Sequence, residues 1–163
     1  DRQPDSALAI LRASHAATTF TSAIFFNTRS LWAAYAHRAR GDTTAARAAF
    51  DSARVLLDSA ERALPGDWRV HAARGQALAG LGRRADALRE ARWLERSAQY
   101  RQARALILAQ AGETDAALAE IERLLAGPSL LSVHELRHSV MYDPIRHDMR
   151  FQALLVKYAN PGT

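Results

Sequence analysis

Three segments of this chain repeat one pattern of glycine and small apolar residues, and this repetition constrains the fold more than any other feature. The segments begin at Gly41, Gly82 and Gly112. In each one, apolar or small residues follow five, nine and twelve positions after the glycine. They are Ala46, Phe50 and Ala53, then Ala87, Ala91 and Leu94, and finally Ala117, Ile121 and Leu124. Steps of three and four residues follow one helix face, so each segment predicts an amphipathic helix after a glycine turn.

An alanine-rich stretch precedes each glycine, which predicts a pair of helices in every unit. A small residue stands seven positions before each glycine, namely Ala34, Gly75 and Ala105. The chain holds 35 alanines and 20 leucines but only 8 glycines and 5 prolines. Alanine, leucine and arginine are among the strongest helix formers. The sequence therefore predicts an all-α fold.

The helix pairs and their glycine turns resemble the tetratricopeptide repeat, a helix–turn–helix unit of about 34 residues. The glycines here are 41 and then 30 residues apart, so the units depart from that regular length. The resemblance implies a right-handed α-α superhelix of about three degenerate helix pairs. It divides the single domain, residues 1–163, into an N-terminal helical segment (1–26), three repeats (27–66, 67–97 and 98–128) and C-terminal capping helices (129–163).

The C-terminal tail predicts two further helices. Ser132 and Glu135 have the spacing of a capping box, which predicts a helix over 133–140. Asp143-Pro144 then predicts a break. A stripe of apolar residues indicates a last amphipathic helix, which we expect to pack against the third repeat. The stripe consists of Phe151, Leu154 and Leu155.

The tail also resembles the end of tetratricopeptide-like regions that follow kinase, cyclase or winged-helix domains in bacterial signalling proteins. The resemblance implies that the chain is the C-terminal part of a larger protein of that kind. It implies a non-catalytic interaction or scaffolding module with a protein or peptide partner and no cofactor. The matching residues are Ser132, Leu136, Arg137, Asp143, Pro144, Arg146, Arg150, Phe151, Leu154 and Leu155.

In the tetratricopeptide family, outward residues of each unit's first helix line a concave groove that binds peptides. Members that hold a C-terminal carboxylate use a lysine and an asparagine where this chain has Leu31 and Tyr35, so that mode is not expected here. The candidate groove, carried over by spacing, comprises Thr28, Leu31, Tyr35, Arg38, Arg69, Ala72, Gln76, Gln99, Gln102, Leu106 and Gln110.

The string from His134 to His138 reads H-E-x-x-H and leaves a zinc-dependent hydrolase as an alternative function. In such enzymes two histidines on one helix side bind zinc while the glutamate acts as general base. Met141 and Pro144 stand where the extended motif requires glycine and histidine. We therefore interpret Glu135 as part of the capping box and predict that His134 and His138 face solvent without a metal.

The basic stretch from Arg83 to Arg104 leaves a nucleic-acid-binding helical repeat as a second alternative. The chain has 21 arginines, one lysine and a net charge of +5, which permit an anionic partner. Asp86 and Glu95 lie within ion-pairing reach, however, so we interpret the stretch as a solvated helix face and nucleic acid is not the expected partner.

Two absences in the sequence narrow the remaining classes. The chain has no cysteine, which excludes disulfides, thiolate metal sites and a cysteine nucleophile. No stretch approaches the ~20 apolar residues of a membrane span. The sequence assigns no compartment, and homo-oligomer formation stays open.

Overall fold

The computed structural model describes residues 3–13, 19–23 and 25–159. This described part is mostly helical, which confirms the all-α prediction. The α-helices are α1 (Pro4–Ala13), α2 (Arg29–Ala39), α3 (Thr43–Ala63), α4 (Trp68–Gly80), α5 (Arg84–Trp93), α6 (Arg101–Gln110), α7 (Thr114–Leu125), α8 (Val133–His138) and α9 (Met149–Lys157). Short 3₁₀ helices cover Leu94–Arg96, Ala98–Tyr100 and Val140–Ile145.

The N-terminal segment departs from the helical expectation for residues 1–26. Strand β1 (Thr19–Thr21) pairs antiparallel with β2 (Phe26–Thr28). Threonine and phenylalanine favour strands over helices, and Ser22 closes the turn by accepting a hydrogen bond from the Phe25 amide at 3.2 Å. The strands therefore replace part of the predicted helix.

Three helical hairpins follow, because α2 packs on α3, α4 on α5 and α6 on α7. The turn glycines Gly41, Gly82 and Gly112 have φ values of +80°, +75° and +80°. At the second turn, the Gly82 amide donates to Ala79 O at 2.9 Å and the next amide donates to Leu78 O at 2.9 Å. This pair of bonds is the Schellman motif that ends helices at a left-handed glycine. The predicted turn register is therefore confirmed.

Small residues lie where the helices approach most closely, as predicted. Ala46, Ala87 and Ala117 are buried, with at most 4% of their surface exposed. At Gly75, a Cβ atom would overlap the side chain of Ile107 on α6. Any larger residue at position 75 would therefore force the Ile107 side chain on α6 to shift.

In the second hairpin and again in the third, a buried glutamate on one helix pairs with an arginine on the other. Glu90 and Glu120 stand eight positions after their turn glycines and are 6% and 5% exposed. Glu90 pairs with Arg74 and Glu120 with Arg104, and each arginine stands eight positions before the same glycine. Alanines occupy both equivalent positions of the first hairpin. The two ion pairs therefore recur with the repeat, although apolar periodicity alone does not predict them.

Glu90 also binds the buried imidazole of His71. The ring Nδ1 lies 2.7 Å from Glu90 Oε2, and Nε2 lies 3.0 Å from Pro65 O. Trp93 stacks on the ring with 3.9 Å between centroids. Burial lowers the pKa of His71, but the bonds to Glu90 and Pro65 outweigh it, so the pKa is raised. The protonated ring satisfies both acceptors.

The apolar stripe of the tail packs as expected. Phe151, Leu154 and Leu155 are buried, and α9 contacts α7. The preceding helix ends earlier than predicted, at His138 instead of residue 140. Arg146 explains the early end, because its guanidinium donates to the carbonyls of Arg137 and Ser139, both at 2.6 Å. These bonds satisfy acceptors that a continuing helix would use.

We expect Gly82→Ala to lower the stability by about 1 kcal/mol or more, because an L-residue is strained at positive φ. A Cβ atom would contact nothing within 4 Å at this position, so the loss measures backbone strain alone. Gly66→Ala is the matched control, since position 66 is equally open and lacks a positive φ. Thermal unfolding of both variants tests this, and an equal effect at the two sites would contradict the turn register.

We expect the stabilisation from His71 to be lost as the pH rises. A raised folded-state pKa means that the contribution is complete below the unfolded pKa of about 6.5 and disappears as the pH passes the folded pKa. The difference in melting temperature between wild type and His71→Gln should therefore shrink from pH 5.5 to 8.5. His147→Gln, at an exposed histidine, serves as the control. A difference that is constant with pH would show that His71 is not charged when buried.

Candidate functional site

A cavity of about 660 Å³ lies over the first helices of the hairpins, where the tail crosses them. Its floor is made by small and amide side chains of α4 and α6, including Ala72, Ala73 and Ala103. Six of the eleven predicted groove residues line it. They are Arg69, Ala72, Gln76, Gln99, Gln102 and Leu106.

Three predicted groove residues on and before α2 are buried instead of facing outward. Thr28 is fully buried and caps α2, its Oγ1 accepting from the Leu31 amide at 3.1 Å. Leu31 and Tyr35 are at most 2% exposed, and the Tyr35 ring meets Phe50 edge-on at 5.5 Å. Arg38 lies half-buried with its guanidinium 4.9 Å from the Tyr35 ring centroid. These side chains therefore hold the first hairpin together and do not line the cavity.

A polar bridge connects the first helices of all three hairpins beneath the cavity. The Tyr35 hydroxyl donates to Gln76 Oε1 at 2.9 Å and accepts from Gln110 Nε2 at 2.8 Å. Gln76 Nε2 donates in turn to Ala72 O at 3.3 Å. Burial raises the pKa of Tyr35 to about 12, so the hydroxyl keeps its proton. The bridge fixes α2, α4 and α6 relative to one another.

Exposed apolar side chains surround the mouth of the cavity. Phe25 and Trp32 are 41% and 38% exposed, and Leu130 is 77% exposed. Trp68, at the start of α4, stacks on Tyr100 with 5.1 Å between centroids and 17° between planes. Large apolar groups clustered at one mouth are typical of a binding surface.

The C-terminal tail supplies the opposite wall. Met141 and Tyr142, from the 3₁₀ helix Val140–Ile145, line the cavity, and Tyr142 is only 1% exposed. Neither residue is among the predicted groove positions, because those positions come from the first helices alone. The sequence signal that could have indicated them is that both are large apolar residues outside any predicted helical stripe. The tail was expected only to cap the last hairpin. It also closes one side of the cavity.

Two charged residues are found among the described lining residues, Arg69 and Glu135. The Arg69 guanidinium pairs with Asp67 at 2.6 Å, which lowers the Asp67 pKa. Glu135 accepts from Gln102 Nε2 at 3.2 Å, and no ion pair of the described residues includes it. Burial raises the pKa of Glu135, and the bond from Gln102 only partly offsets this. The charge of Arg69 is therefore compensated by Asp67, whereas Glu135 has no cationic partner among the described residues.

The side chains of the H-E-x-x-H string point in different directions. His134 and His138 are exposed, with 4.5 Å between ring centroids, as the sequence predicts. Glu135 instead faces Gln102 in the cavity, while the Ser132 hydroxyl caps the Glu135 amide at 3.0 Å. Across the described residues, no group of three histidine, aspartate or glutamate side chains is arranged to hold a metal ion.

The arginine-rich stretch is largely paired, in agreement with its interpretation as a solvated face. Asp86 accepts from both Arg83 and Arg89, and Glu95 pairs with Arg104 at 2.7 Å. Pairs of this kind reduce the positive potential that a phosphate backbone would meet.

The comparison of this chain with protein-family models, curated proteins and solved structures found no match. Within the described ranges, every helix is too short or too polar to cross a membrane.

We expect Tyr35→Phe to destabilise the protein by about 1–2 kcal/mol, because it leaves Gln76 and Gln110 without their shared partner. Tyr158→Phe is the control, since that tyrosine is partly exposed near the described end of the chain. Urea unfolding measures both variants, and equal midpoints would show that the bridge does not hold the three helices.

Proposed function

We propose that this chain is a tetratricopeptide-like protein-interaction module that binds a short segment of a partner in the cavity. The recurring glycine turns, small residues and buried ion pairs support a repeat architecture, with the right-handed superhelix as part of the proposal. The exposed aromatic mouth above an amide-lined floor carries the functional conclusion, because such mixed apolar and polar cavities bind ligands.

The tail limits what the cavity accepts. Met141 and Tyr142 occupy one side of the surface that an open groove would leave free. A volume of about 660 Å³ falls in the usual range for a ligand pocket. We therefore propose that one or two side chains of the partner enter, while its backbone stays near Phe25 and Trp32.

The tail resemblance supports a place for the module within a larger bacterial signalling protein. Two of the tail residues that carry the resemblance act structurally here. Arg146 binds the carbonyls that end α8 and pairs with Asp143 at 2.7 Å, and Phe151 is fully buried. We propose that the module recruits a partner to that protein and has no catalytic role of its own.

Random-peptide display against the folded protein tests the proposal. We expect enriched peptides to lose binding to Ala103→Trp, which fills the cavity, and to keep binding to Val55→Trp, which adds the same side chain at a position 52% exposed on α3. Circular dichroism checks the fold of each variant. If the Ala103 variant unfolds, Trp32→Ala replaces it and should weaken binding by removing part of the mouth. Peptides that bind all variants equally, or no enrichment, would contradict the proposal.

A further inference from the structure

We propose that the cavity selects a basic side chain, arginine or lysine, presented by the partner segment. In this proposal Glu135 pairs with the cation, and the aromatic rings of the cavity contact it. The inference rests on the proposed function and specifies the chemistry of its ligand.

Glu135 is a partly buried carboxylate that lacks a cation. Its polar contacts in the described structure are the Gln102 amide, at 3.2 and 3.4 Å from the two carboxylate oxygens, and its own backbone amide is capped by Ser132. The other buried glutamates behave differently, since Glu90 and Glu120 each bind at least one arginine. A carboxylate removed from water gains most from a charge-assisted hydrogen bond. A cationic ligand would complete this site in the way that Arg74 completes Glu90.

The other charge in the cavity does not cancel that of Glu135. Arg69 Nη2 lies 2.6 Å from Asp67 Oδ2, its Nε lies 2.9 Å from Asp67 Oδ1, and a further N–H group donates to Ser22 O. This arginine is held by its neighbours and its charge is compensated. The described lining therefore carries one uncompensated negative charge.

The remaining lining suits a cation with several N–H donors. Phe25, Trp32 and Trp68 present aromatic rings, whose faces attract guanidinium and ammonium groups. The carbonyl oxygens of Gln99 and Gln102 are acceptors for additional N–H groups. The same chain already uses such contacts, because the Arg96 guanidinium lies 4.5 Å from the Trp93 ring centroid.

The net charge of the chain and the local charge of the cavity favour different partners. A net charge of +5 favours acidic partners in general. An acidic side chain in this cavity, however, would place its carboxylate beside Glu135, and the repulsion would oppose binding. Charge complementarity within the cavity therefore favours a basic segment.

Blocked pentapeptides with four alanines around a central residue test the inference. The central residue is arginine, its neutral near-isostere citrulline, or glutamate, and tryptophan fluorescence follows the titration. We expect the arginine peptide to bind about tenfold more tightly than the citrulline peptide, and the glutamate peptide to bind most weakly. Glu135→Gln should remove the preference for arginine over citrulline. Glu122→Gln is the matched control, because it removes the same charge from a residue that pairs with Lys157 outside the cavity lining.

The outcomes separate this inference from the proposed function. Equal binding of the arginine and citrulline peptides to the wild-type protein would overturn the inference, and this comparison needs no variant. Display peptides that occupy the cavity without enrichment of basic residues would also overturn it while leaving the proposed function standing. Ethylguanidinium that binds as tightly as the arginine peptide would show a site for small cations and overturn the choice of a peptide. Failure of the display selection itself would instead contradict the proposed function.

Discussion

The close packing of α4 against α6 is the constraint on which the rest of the structure depends. Ala34 and Ala105 are fully buried, and a Cβ atom at position 75 would overlap the Ile107 side chain unless that side chain shifted. Because small residues allow α4 to lie against its neighbours, the Tyr35 hydroxyl reaches glutamines on two other helices. The same closeness leaves a floor of alanine and glutamine, above which a cavity forms. A larger residue at position 75 would therefore disturb the site as well as the core.

The parts of the fold that could be predicted are those decided by neighbours in the sequence. The positive φ of Gly82, the burial of Ala87 and the stripe containing Phe151 all follow from local spacing, and the structure confirms them. The strand at Thr19–Thr21 was missed because the clustered threonines were interpreted as a break within a helical segment and not as a strand. The pairing of Arg74 with Glu90 joins residues sixteen positions apart on two helices. The sequence signal for this pair is that Arg74 and Glu90 stand eight positions before and after Gly82. Apolar periodicity does not reveal such a signal.

The candidate site was only partly predictable, because its two sides come from distant parts of the chain. Gln76 and Gln102, which the spacing predicts on the groove side of the first helices, line the cavity. Nothing in that spacing indicated that Tyr142 would cross to the same surface and become buried there. The Tyr142 pKa is raised by burial and then by the nearby Glu135 carboxylate, which reflects how closely these tail residues are packed together. A long-range contact of this kind depends on several helices together, since each helix supplies only part of the surface against which Tyr142 packs.

The H-E-x-x-H string shows how the surroundings of a motif decide the chemistry that it can support. Zinc binding needs both histidines and a third ligand to converge on one point. Helix α8 has six residues, and its histidines project into solvent, away from the cavity that receives Glu135. Among the described contacts, the Ser132 hydroxyl caps the helix start, and the Glu135 side chain turns toward Gln102 instead of completing the capping box. In that position the carboxylate is partly buried, lines the same cavity as Phe25, Trp32 and Trp68, and pairs with no cation among the described residues. This is the setting in which an incoming basic side chain gains most.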